Sequence, residues 1–103
     1  MLLSKAIREG AKLRPQGFGY RFDGKTSCAL EAALEAATGR TDATPPEFHK
    51  HFGVRWRGRF DCPAEGCALH ANRISLITHL NDSHQWTRER IADWVATVEN
   101  ADA

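Results

Sequence analysis

Apolar positions recur at helical spacing in three stretches of the chain and alternate in two. The spacing predicts a first helix from Ser4 to about Leu13. Leu3, Ala6, Ile7 and Ala11 share one side, Lys5, Arg8, Glu9 and Lys12 fall elsewhere, and Arg14-Pro15 stops it. Phe18, Tyr20 and Phe22 then alternate with Gly19 and Arg21, the period of a strand, and Asp23-Gly24 marks a turn. Pro15 to Lys25 is therefore expected as a turn-rich connection or a short strand pair.

Ser27 is expected to cap a second helix over Cys28 to Thr38, closed by Gly39. Leu30, Ala33, Leu34 and Ala37 form its apolar stripe, and the many alanines let another helix approach closely, so this helix belongs at the centre of the core. Thr44-Pro45-Pro46-Glu47 carries the cap, the first-turn proline and the reciprocal acidic residue of a helix start. A short helix to Phe52, ended by Gly53, should follow. Val54 to Phe60 alternates again, with Val54, Trp56 and Phe60 on one face and Arg55, Arg57 and Arg59 on the other. The clearest amphipathic helix spans 87–100. Thr87 starts it, Ile91, Trp94, Val95 and Val98 line its apolar face, and Trp86 is placed to pack on Ile91 as a hydrophobic staple.

Together these elements predict a small α+β fold, a single helix-dominated domain over residues 1–103 with a short β hairpin. Length and composition agree with this: 103 residues with 42% hydrophobic and 26% charged positions suit one modest soluble core. No apolar run is long enough for a membrane span, and the start, Met1 to Lys5, has no long apolar region or cleavage site, so a cytoplasmic protein is expected. The net charge of +1 hides an asymmetry. Residues 1–60 hold eleven Lys/Arg against six Asp/Glu (+5), and residues 61–103 hold three against seven (−4).

Three cysteines make an odd count, which argues against a disulfide framework. In a reducing compartment two close cysteines are better explained by metal. Cys62 and Cys67 are separated by four residues, eleven lead to His79, and four more to His84. Two thiolates and two imidazoles satisfy a tetrahedral zinc ion, and four protein ligands close the site to water and substrate. Zinc is therefore the expected cofactor, in a structural role. It supplies on the order of 10 kcal/mol of apparent folding free energy to isolated fingers. With the histidines five positions apart, slightly more than a helical turn, both can face one ion if the helix is tightened or frayed at His84. The bland alternative is two core thiols and two unrelated surface histidines.

Residues 60–84 resemble a two-cysteine, two-histidine zinc finger. Phe60 stands two before Cys62, where that family has an aromatic, and Leu76 stands three before His79, where it has its core leucine. The eleven-residue gap is one short of the usual twelve. His70 occupies the place of the family's core phenylalanine, as a filler or a competing ligand. A second similarity, to small uncharacterised bacterial and phage proteins, rests on Leu80-Asn81-Asp82, His84, Trp86 and the run Arg88 to Trp94, with Ser27-Cys28-Ala29-Leu30 earlier. It implies that the finger is embedded in a larger domain.

In the finger family the helix reads bases in the major groove. The resemblance puts Asn72, Ser75 and Thr78 at the reading positions. None can grip guanine, although Asn72 could pair with adenine. Ile74 and Ile77 would be exposed on an isolated finger, so they are expected to pack on the rest of the domain, and the acidic half of the chain is poorly suited to phosphates. The better nucleic-acid candidate is the strand face of Arg55, Arg57 and Arg59, interleaved with Trp56; its bland alternative is a solvated face that guards a sheet edge.

No nucleophile elbow, phosphate-binding glycine loop or metalloprotease helix is present, and Gly17-Phe18-Gly19 lacks a third glycine. His49-Lys50-His51 does not supply the histidine-x-glutamate of a zinc deaminase. Cys28 reads as a small core residue, or as a thiol activated by a helix N-terminus. The sequence thus points to a non-catalytic zinc-binding interaction protein, encoded by a phage or mobile element and binding another protein; DNA or RNA binding through the arginine strand is the alternative.

Overall fold

The fold is taken from a computed structural model that describes residues 1–19, 24–40, 50–52 and 58–99. Helix α1 spans Leu3–Gly10 and α2 spans Ala29–Thr38. A two-stranded antiparallel hairpin follows, β1 (Arg59–Asp61) and β2 (His70–Asn72). Helices α3 (Arg73–Asp82) and α4 (Arg88–Val98) complete the order. Residues 50–52 are helical, and Phe52 leans on the core. The fold is α+β with helices dominant, as the pattern predicts.

The apolar stripes meet in one core. Ile7, Leu76, Ile77, Leu80, Ile91 and Val95 are its largest fully buried apolar side chains, with Ala6, Ala29, Ala33 and Ala92 buried among them. Helix α1 lies against α2 and α4. Gly10 sits where α1 comes nearest to α2. A Cβ there would lie 1.8 Å from the Ala32 carbonyl oxygen, so only glycine fits. Helix α1 also ends at Gly10, earlier than its apolar period suggests. Beyond Gly10 the chain tightens into i→i+3 turns, Lys12 N–H to Glu9 O and Leu13 N–H to Gly10 O.

Two helix starts are capped in unusual ways, one of them against expectation. Ser27 does not cap α2; Cys28 does. Its Sγ accepts the Glu31 N–H at 3.5 Å while the Glu31 carboxylate accepts the Cys28 N–H at 2.9 Å, a capping box built on sulfur. Ser27 is fully buried, and its hydroxyl accepts from the Arg88 guanidinium at 2.8 Å. At α1, Leu2 has no capping side chain. The Glu99 carboxylate fills that place from the far end of the chain, accepting Ser4 N–H at 3.1 Å and Ser4 O–H at 2.8 Å. Gly39 closes α2, and Thr87 caps α4, as expected.

Between Pro15 and Lys25 the described residues hold no strand, only an isolated parallel bridge from Gln16 to Ser27. Tyr20 and Phe22, the helix start at Thr44–Glu47, Gly53, and Val54 to Arg57 lie outside the described residues. At the end of the expected arginine strand, Phe60 turns inward and Arg59 outward.

Candidate metal centre

Hairpin, knuckle and helix bring four side chains together. Strands β1 and β2 pair Arg59 with Asn72, Phe60 with Ala71 and Asp61 with His70. Cys62 N–H to Leu69 O at 2.8 Å extends the ladder by one rung. The chain then reverses through a turn in which Cys67 N–H bonds Ala64 O at 3.1 Å, and Gly66 takes the left-handed conformation (φ 77°) that this reversal requires. Helix α3 starts directly after β2. Its N-cap, Asn72, accepts the Ser75 N–H at 2.8 Å. His79 lies in its last turn and His84 just beyond its end.

The potential ligand atoms of Cys62, Cys67, His79 and His84 all lie within 4.8 Å of one another. The tetrahedron around a zinc ion has edges of about 3.3–3.8 Å, so small side-chain rotations close the set onto one ion. Cys67 Sγ is 3.4 Å from His79 Nε2, and the two imidazoles stand edge to face with centroids 4.6 Å apart. The cysteines are free thiols. His84 Nε2 is buried without a hydrogen-bond partner. A buried ring nitrogen left so is costly, and a cation among these four groups accounts for it. Burial raises the Cys62 thiol from its ordinary value; the Ala64 N–H opposes this, and the neighbouring Cys67 adds to it.

His70 is neither filler nor ligand. Its ring is exposed and its Nδ1 lies 2.9 Å from Asp61 Oδ1, its cross-strand partner. Of the two alternatives at His84, the helix opens rather than tightens: it ends at Asp82, and both Ser83 and His84 N–H groups are directed at His79 O, at 2.8 and 3.2 Å.

The surroundings explain why this finger-like unit is not free-standing. Ile77 is fully buried and Ile74 half-buried, as expected for a finger packed into a larger domain. Arg73, 2% exposed, sends its guanidinium under Phe60 and donates to Val98 O at 2.7 Å and Glu99 O at 3.4 Å, at the end of α4. Phe60 also meets Trp94 edge to face, centroids 6.4 Å apart. On the other side Asn81, with no exposed surface, accepts from Gln16 Nε2 and Ala29 N–H and donates to Gly17 O and Asp82 Oδ1. Arg88 donates to Ser27, Arg14 and Ala11 oxygens. These buried polar residues are the ones that the hydrophobic pattern passes over. Two of the three sit on apolar stripes: Asn81 follows Ile77 by four, and Arg88 precedes Ile91 and Ala92 by three and four.

Of the arginine strand, Arg59 is exposed on β1, and Arg55 and Arg57 lie outside the described residues. His51 is exposed and is not a member of the four-residue cluster. No helix among the described residues is long and apolar enough to cross a membrane. No family model, no curated protein and no solved structure matches the chain, so the similarity to small bacterial and phage proteins gains no support from these comparisons.

Proposed function

We propose that the chain is a non-catalytic interaction protein whose finger-like segment is held by one structural zinc ion on Cys62, Cys67, His79 and His84. The observation that carries the reading is the closed set of two sulfurs and two imidazoles around the orphaned Nε2 of His84. Sulfur with imidazole suits zinc over calcium or magnesium, and four protein ligands leave no open position for catalysis. The ion's role in this reading is to cross-link hairpin to helix.

A protein is the partner favoured by the state of α3. Asn72, the one reading position able to pair with adenine, spends its side chain capping the Ser75 N–H, so that base contact is already given up. Residues 61–103 also carry net negative charge (−4, from three Lys/Arg and seven Asp/Glu).

Elemental analysis of wild type and Cys62→Ser tests the metal. About one zinc per chain, lost in the variant together with far-UV helix signal, is expected. A folded, zinc-free wild type would sink the proposal. Binding to generic DNA that falls steeply with salt, and disappears in an Arg55/Arg57/Arg59 triple alanine variant, would replace the protein partner with nucleic acid.

A further inference from the structure

The link between α3 and α4 holds Gln85, the one non-glycine with positive φ among the described residues, at 53°. Its neighbours explain the conformation. In a regular helix five residues advance about 500°, which would leave His79 and His84 about 140° apart. Closing the last turn from His84 N–H to His79 O, an i→i+5 bond of 3.2 Å, widens it and returns His84 to the side of His79. The next fixed point is Trp86. Its N–H bonds Leu80 O at 3.0 Å, its carbonyl accepts Gln16 Nε2 at 2.7 Å, and the Arg90 guanidinium covers its ring at 3.8 Å. The chain must therefore leave a metal ligand and dive back to the core within one residue, and that residue turns left-handed.

We infer that Gln85 is a positioning residue for the metal centre: its left-handed backbone is the pivot that aims His84 at the ion. The inference rests on the proposed zinc site. The Gln85 side chain is exposed, so the role belongs to the backbone. Without metal, only the His84 N–H bond to His79 O and the edge-to-face contact of the two rings hold His84 there, and the link is freer to relax to an ordinary conformation. Metal binding must then restore the left-handed residue against the steric cost that any Cβ imposes.

Cobalt(II) titration with a competing chelator reads both affinity and ligand set. The chains compared are wild type, Gln85→Gly, Gln85→Val and, as the reference for a lost ligand, His84→Ala. Wild type should give the intense visible bands of tetrahedral cobalt with two sulfurs and two nitrogens. Gln85→Gly should bind about threefold to tenfold tighter with the same spectrum. Gln85→Val should bind about tenfold weaker, its spectrum moving toward that of His84→Ala. A residue with only a general structural role would lower stability without changing the cobalt spectrum. Affinities within twofold of wild type and unchanged spectra in both variants would overturn the pivot while leaving the metal site standing. If Gln85→Val does not fold, the glycine variant decides alone, and binding no tighter than wild type overturns the inference. A wild type that binds no cobalt would remove the site itself.

Discussion

Cys28 shows how a single residue can look reactive in sequence and be quiet in the fold. It stands at the N-terminus of α2, where a thiol is commonly activated, yet burial, only partly offset by the Glu31 N–H, pushes it up to about 12 from 9.0. Its sulfur is a neutral capping acceptor. Between these two values the folded chain keeps a proton that the unfolded chain loses. The stabilisation is therefore complete below pH 9 and drains away as pH rises toward 12. Urea denaturation at pH 8 and pH 10.5 should show wild type losing up to about 2 kcal/mol more than Cys28→Ser, in which the hydroxyl keeps the cap without titrating. Asn81 makes a different claim at this scale. Replacing it with leucine preserves volume but strands the Ala29 N–H and the Gly17 carbonyl, and should cost about 3 kcal/mol in the same assay on zinc-loaded protein. The apolar period could have flagged Asn81 as buried. It could not have named its partners, which lie 52 and 64 residues away.

Among the elements, capping chemistry was the most legible signal and also the one most often redirected. Thr87 and Gly39 act locally and stand where local rules put them. Ser27 is a better intrinsic cap than Cys28, but Arg88 claims its hydroxyl from α4, and the cap moves one residue on. The ligand spacing foretold that Cys62, Cys67, His79 and His84 converge, because hairpin, knuckle and helix are all local in sequence. What spacing could not foretell is how α3 seats itself, since that depends on Arg73 finding the carbonyl end of α4. Cationic groups are favoured at that end of a helix. Arg73→Met keeps the packing stem and removes the charge. It should destabilise the domain by about 2 kcal/mol and speed amide exchange in the last turn of α4, with zinc content unchanged. Zinc lost along with Arg73 would mean that the finger cannot assemble unless it is docked on α4.

At the level of the whole molecule, residues 98 and 99 are a junction. Their carbonyls receive the finger's Arg73, and the Glu99 carboxylate holds the first turn of α1. Fold class was readable from periodicity because each helix announces its own buried face. This junction was not, because its partners are 95 residues apart in one case and 26 in the other. It also makes the backbone nearly a closed ring, since the start of α1 and the end of α4 touch through Ser4 and Glu99. A circular permutant that splices residue 99 to residue 3 through a short glycine-serine linker, and opens new termini between α2 and β1, should keep both the helical spectrum and a full complement of zinc. Failure of that permutant to fold would show that the order in which the helices leave the ribosome, and not only their final neighbours, is part of how this chain reaches its structure.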